Sequence, residues 1–449
     1  MVFQRSTAKR RTVAFFGATI SVITLAALSY TRIHNQTHLG NLCDHLAARS
    51  TPLEAESEST NDVPFTKVIS HAAGFTVLEN AYWKNDTWYF VSEQPWSFPD
   101  LASVVTQGPW HGSTPYTDAR VVRLITLDEA TAMGIQDHSE LKGSTLFFND
   151  RISVPPVYHV VGEMFLGAWR AWQSATWFTS KPNPDIARLA FAHVDDDTFT
   201  DHAGMNHYYL ERFFPAAELE FVESWEARAK TGKYYRLPKV VIADRKSGHR
   251  GPKTRGKPMD DAFALPVHGD WVAPLRQAIV GGYTGAPMPD KGLPVITYLS
   301  RQSTHMRKMT QASHENLEAE LKKLEQDGIA EFNTVEFSDK DPKDYQAAVL
   351  ARTTILVGVH GNGLTHLMWM VPNKLSAVYE LQQKGSRVDD YSILSEAMNM
   401  KHWIVNVDTM CERRDCGPRG LDPSVQIGSN EYTVDAAYLA QAIRTRLAA

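Results

Sequence analysis

The residues best suited to chemistry lie in the last third of the chain, in the segment TTILVGVHGNGLTH at 353–366. An apolar run there leads straight into His360, Gly361, Asn362, Gly363 and Leu364. In an open α/β sheet, ligands bind in the crevice at the carboxyl ends of the strands. Glycines in such a turn let backbone N–H groups approach an anion closely, and the N-terminus of the following helix adds its dipole and unpaired donors. A diphosphate suits this arrangement, with His360 as a further donor. The same residues also suit a plain turn with two glycines at positive φ and a histidine satisfied in the core, and so short a glycine motif does not choose between the two.

A second cluster follows the apolar run 294–300: Ser300, Arg301 and Gln302, then Arg307 and Lys308, with His314 and Glu315 entering the next helix. An arginine at a strand's carboxyl end faces the same crevice, and its planar guanidinium matches phosphate oxygens in bidentate fashion. A solvated basic turn is the competing reading. The sequence holds no G-x-x-x-x-G-K-[ST] loop, no third glycine to complete a dinucleotide fingerprint, and no G-x-S-x-G elbow to make the HGNG stretch an oxyanion hole. The run Asp195-Asp196-Asp197 reads as a solvated acidic turn, no Cys/His spacing suggests zinc, and no metal site is expected. The stretch RKSGHRGPKTRGK at 245–257 reads as a basic loop without regular structure, either a solvated insertion or a contact to an anionic substrate.

The elements that must position these residues alternate regularly. Strands over 294–300, 329–337, 354–359, 376–381 and 403–407, with helices over 312–326, 342–352 and 364–370 between them, predict a parallel, doubly wound sheet. A last helix over 434–447 is expected to pack back on the first domain. Earlier in the chain, Phe75–Leu78, Ala81–Lys84 and Thr87–Val91 read as strands with a tight hairpin at Asn85-Asp86. Helical spacing over 157–177 and apolar runs at 185–195 and 238–244 make this region mixed α/β as well.

With 449 residues, 43% of them hydrophobic, the chain has material for two cores, and a net charge of -5 supplies no general attraction to nucleic acid. Residues 12–31 form a run of 20 uncharged residues preceded by Arg5, Lys9, Arg10 and Arg11, with no acidic residue before Asp44. That is long enough to span a bilayer, and the charge asymmetry sets a type II orientation; a cleaved signal peptide is the rival reading, usually with a shorter apolar run. The sequons at Asn35 and Asn85 and the closely spaced Cys411 and Cys416 suit a lumenal, oxidising compartment, leaving Cys43 over. The resulting division is a cytoplasmic tail at 1–11, a membrane anchor at 12–31, a stem at 32–64, an N-terminal domain at 65–285 and a C-terminal domain at 286–449.

Taken in order, Tyr298-Leu-Ser-Arg301-Gln302, Arg307, His314, the Asp344-Tyr345-Gln346 helix, the HGNG segment, Pro372 and Tyr379-Glu380 resemble glycosyltransferase family 61, and its fungal members most. The family includes N-acetylglucosaminyltransferases and plant xylosyl- and arabinosyltransferases. The ordered match covers 294–381, with weaker coverage of 65–245. This resemblance implies a GT-B fold with two Rossmann-like domains facing a cleft, an inverting mechanism, a UDP-sugar donor as co-substrate rather than a bound cofactor, a protein or glycan acceptor, and Golgi or endoplasmic reticulum residence. It assigns Arg301, Arg307, His360, Gly361 and Gly363 to UDP, with Asn362 and Leu364 in the same loop and Glu380 near the ribose or uracil. Asn362 departs from the small residue usual between the two glycines. An inverting transfer also needs a base. Glu163 and His159, one helical turn apart, are the candidates, with Glu163 preferred on the expectation that burial raises its pKa toward working pH. Asp196 stands next in line. A lumenal binding or scaffold protein that kept the fold and lost turnover is the alternative reading.

Overall fold

Asn85 and Asp86 both take positive φ, 48° and 62°, the conformation that lets a two-residue turn follow the twist of its flanking strands. They join Phe75–Lys84 to Thr87–Val91 as a hairpin, with Trp83 opposite Trp88. The first of these is one continuous ten-residue strand where the sequence suggests two. The computed structural model describes residues 56–57, 62–107, 116–151, 156–252, 257–281, 292–416, 420–421 and 431–449. The anchor expected at 12–31, Asn35 and Cys43 lie outside the described residues, as does the stem except for residues 56–57 and 62–64. No described helix is long and apolar enough to cross a membrane.

Two sheets organise residues Ser57–Ala449, which make one compact unit. In the first, Tyr235–Ala243 lies between Phe75–Lys84, antiparallel, and Ser144–Phe148, parallel; Ile186–Phe191 and Glu218–Glu220 extend the parallel side. The second is parallel through Glu331–Val335, Val295–Leu299, Ile355–Val359, Ala377–Leu381 and Lys401–Asn406, ending in an antiparallel Thr409–Cys411 edge. Its spatial order, with the second strand of the chain outside the first and the rest following in sequence, is a doubly wound order. The predicted strands of this region are all present, with ends moved by a few residues at most.

Helices cover both faces of the second sheet. Gln311–Gln326 and Ala436–Leu447 pack together on one face through Leu317, Leu321, Leu439 and Ile443. The last helix therefore stays with its own sheet and does not return to the first domain. Its apolar stripe is matched by the neighbouring helix, and no first-sheet residue joins that cluster. The opposite face shares one continuous core with the first sheet: Leu356 and Val378 join Val77, Leu146 and Val241 through the helices at 158–179 and 362–369.

Three local conformations differ from expectation. Tyr158–Phe165 is wound as a π-helix before continuing as an α-helix over Leu166–Thr179, and Asn362–Trp369 is a 3-10 helix. Arg245–Gly248, expected to be part of an irregular basic loop, is a helical turn capped by the Asp244 carboxylate on the Ser247 N–H at 2.9 Å. Arg245 is buried there because carboxylates surround it, a partnership that local composition does not reveal.

Candidate active site

The chemistry-bearing residues gather at strand carboxyl ends in both sheets. Asp150 follows Ser144–Phe148, Arg245 follows Tyr235–Ala243, Arg301 follows Val295–Leu299, and His360 follows Ile355–Val359. Gly361 lies under the Arg301 guanidinium so closely that a Cβ there would stand 2.6 Å from Nη1. This contact, which needs the absence of a side chain, joins the two motifs read from sequence into one surface.

Arg301 and Arg307 are the unsatisfied charges of that surface. The Nε of each is buried with no hydrogen-bond partner, and neither guanidinium forms an ion pair with a carboxylate among the described residues. Burial and the neighbouring Arg307 both pull the Arg301 pKa below the usual arginine value. Two like charges held together and partly out of water create a demand for an anion. Arg307 holds a left-handed backbone at φ 62°, uncommon for a residue with a side chain.

His360 is held from behind. Its Nδ1 lies 2.5 Å from Glu380 Oε1, while Glu380 Oε2 lies 3.0 Å from His402 Nε2. Burial pushes the Glu380 carboxyl up, but hydrogen bonds from His360 and His402 and their charges hold it at about 2. As a carboxylate, Glu380 accepts the Nδ1 proton of His360 and fixes the tautomer. Glu380 is fully buried. The Glu380 carboxylate, expected near a ribose or base, faces His360 and His402.

The candidate bases stand on the π-helix. His159 Nδ1 lies 2.8 Å from Glu163 Oε2, so the expected pairing one turn apart exists. Glu163 is 2% exposed and also faces Arg245 Nη1 at 3.1 Å and Lys257 Nζ at 3.8 Å. Burial alone would raise its pKa, but the His159 hydrogen bond and the charges of His159, Arg245 and Lys257 carry it below the usual carboxylate value. The raised pKa expected from an apolar setting is therefore corrected; three cationic or protonatable side chains share that carboxylate. The His159 side chain is about one-third exposed. Lys257 also pairs with Asp390, and Arg245 with Asp150, so the network runs from the first sheet to the second. The Tyr158 ring lies 5.1 Å from Tyr391, whose ring lies 5.5 Å from His360.

Asp195 caps its own short helix through the Thr198 N–H, and Asp196 pairs with His207 at 2.7 Å. Among the described residues no three His, Cys, Asp or Glu side chains are placed to hold a metal ion. A cavity of about 600 Å³ opens beside the helix Asp390–Ala397, over Phe263 and Ile393. Its Arg413 is already paired with Glu396 and Asp260. Cys411 and Cys416 form a disulfide that closes the loop carrying Arg413.

Sequence reasoning missed Asp390 and His402 as site-supporting residues, and it read Arg245 and Lys257 only as the ends of a basic stretch, not as partners of Glu163. No spacing pattern links the four.

A doubly wound sheet with a cationic glycine-loop crevice shares its core with a second α/β layer that carries a histidine–carboxylate pair. Residues 173–378 match the family model described as Glycosyltransferase 61, which supports membership of that family. No curated protein matches the chain. The matched span holds Arg301, Arg307 and His360–Leu364 and reaches well into the first sheet; His159, Glu163 and Glu380 lie outside it. That family implies a sugar donor and an acceptor substrate.

Proposed function

We propose that this protein is an inverting glycosyltransferase of GT-B arrangement that moves N-acetylglucosamine or xylose from a UDP-sugar to a hydroxyl of a protein or glycan. The observation that carries the reading is the Arg301–Arg307 pair, buried at Nε without a partner, with Arg301 laid over the glycine loop. A UDP diphosphate supplies the missing acceptors. On the donor side, Arg301, Arg307 and His360 neutralise the diphosphate as it departs.

The base is His159 in preference to Glu163. In its neutral form His159 gives its Nδ1 proton to the Glu163 hydrogen bond, leaving Nε2 as a lone-pair acceptor. The acceptor hydroxyl attacks the anomeric carbon and its proton passes to Nε2. The bond from that carbon to the β-phosphate oxygen breaks, and UDP leaves with the electron pair. Glu163, held by Arg245 and Lys257, orients the ring and stabilises the imidazolium that forms.

Residence in the Golgi or endoplasmic reticulum as a type II protein fits two features of the described residues. Asn85 is exposed at a hairpin tip, and Cys411–Cys416 is oxidised. UDP release should be measured across several UDP-sugars with a panel of acceptors, for the parent and for His159→Ala. One sugar should be turned over by the parent, and the variant should lose roughly 10²–10⁴-fold in rate while binding UDP normally. A parent that binds UDP but turns over none of the sugars would favour the binding-protein reading, and one that binds no UDP would refute the donor site.

A further inference from the structure

Asn362 occupies the turn between Gly361 and Gly363, yet its side chain faces the other sheet's helix. Its Oδ1 accepts a hydrogen bond from the Tyr158 backbone N–H at 3.0 Å, across 204 residues of sequence. Tyr158 is the first residue of the π-helix, and no side chain of its own segment caps that helix. The first N–H groups of any helix lack intrahelical partners, and Asn is among the side chains best suited to satisfy one. Here the cap comes from the loop expected to hold the donor diphosphate. The next residue after Tyr158 is His159. A second contact supports the same approach: a Cβ on Gly162 would stand 3.6 Å from the Thr365 methyl, so the two helices lie against each other along their first turns.

One short segment therefore touches the anion-binding cations on one side and the base-bearing helix on the other. Gly361 lies under Arg301, and Asn362, its neighbour, holds the start of the helix that presents His159. We infer that Asn362 is a positioning residue: a latch that registers the His159 helix against the donor loop, so that seating the diphosphate also sets the base. The inference rests on the proposed transfer reaction for its consequence, but the latch itself is a property of the geometry. A small side chain at 362 would keep the loop's approach to Arg301 and leave the Tyr158 N–H without its cap.

Asn362→Ala and Asn362→Asp separate this role from a general structural one. The alanine variant should bind UDP within about twofold of the parent in calorimetry. Its single-turnover transfer should fall roughly 2- to 13-fold, the range of one net hydrogen bond. The aspartate variant keeps the acceptor oxygen but brings a negative charge to the diphosphate loop. Its transfer at saturating donor should exceed the alanine variant's, while its UDP affinity falls several-fold below the parent's. Hydrogen exchange at the Tyr158 amide should speed up in Asn362→Ala and not in Asn362→Asp, a readout that needs neither donor nor turnover. Transfer and amide exchange unchanged in the alanine variant would overturn the latch, as would equal losses of binding and transfer in both variants. A parent without UDP affinity, but with Tyr158 exchange faster in Asn362→Ala, would instead overturn the donor reading and leave the contact as a structural cap.

Discussion

Removing the Arg301 guanidinium tests the donor site where its electrostatics are least forgiving. In the free protein this group is partly buried, unpaired at Nε and repelled by Arg307, and both burial and that repulsion lower its pKa. Its charge is therefore held at a cost to the unliganded fold, and a bound diphosphate relieves that cost. A charge-assisted hydrogen bond contributes about 1.5–3 kcal/mol, so Arg301→Ala should weaken UDP roughly 10- to 150-fold. The same substitution removes one of two like charges, so Tm should stay at the parent value or rise slightly. Arg301→Lys should recover only part of the affinity, because a point charge lacks the planar fork. Calorimetry with UDP and UMP sharpens the test: if Arg301 engages the β-phosphate, the alanine variant loses more affinity for UDP than for UMP. Unchanged UDP binding, or equal losses for both nucleotides together with a lower Tm, would refute the reasoning and return Arg301 to a structural role.

Glu163→Gln should slow single-turnover transfer with UDP affinity kept; because it strips a buried partner from Arg245 and Lys257, it should also lower Tm, through a stability loss of the ~3–5 kcal/mol typical of breaking a buried pair. Full transfer in that variant would remove Glu163 from the proposed proton relay. Glu380, held at about 2 against 4.5 when unperturbed, contributes stability that is complete above about pH 4.5 and is lost as pH falls toward 2. The parent should lose on the order of 3 kcal/mol across that window and Glu380→Gln much less, a difference that thermal melts between about pH 2 and 6 would reveal or exclude. Protein recovered from a secretory host should carry an N-glycan at Asn85 and a Cys411–Cys416 bridge in non-reducing peptide maps; an unmodified Asn85 with two alkylatable thiols at those positions would contradict lumenal residence.

The parallel sheet of the C-terminal half was legible from residue order alone, because strands buried on both faces read as short apolar runs and the helices between them carry a clear amphipathic repeat. Arg301, Arg307 and the His360 loop were legible for the same reason: each follows closely on such a run, and a doubly wound sheet brings those ends together. His159 and Glu163 could be paired on paper, since a helix places residues four apart on one face. What a local pattern cannot carry is the identity of partners distant in sequence. Whether Glu163 sits in apolar surroundings or among cations depends on Arg245, 82 residues away, and on Lys257 beyond it, and that reversed the direction of its pKa. That Glu380 would lie between His360 and His402 could not be read from its place in a strand. Asn362 read as a bulky intruder in a glycine loop, and only the approach of the two sheets' helices made it a cap. Strand and helix periodicity are set by backbone geometry within a few residues, whereas burial and charge pairing belong to the packed molecule, and at this site they set the partners of Glu163, Glu380 and Asn362.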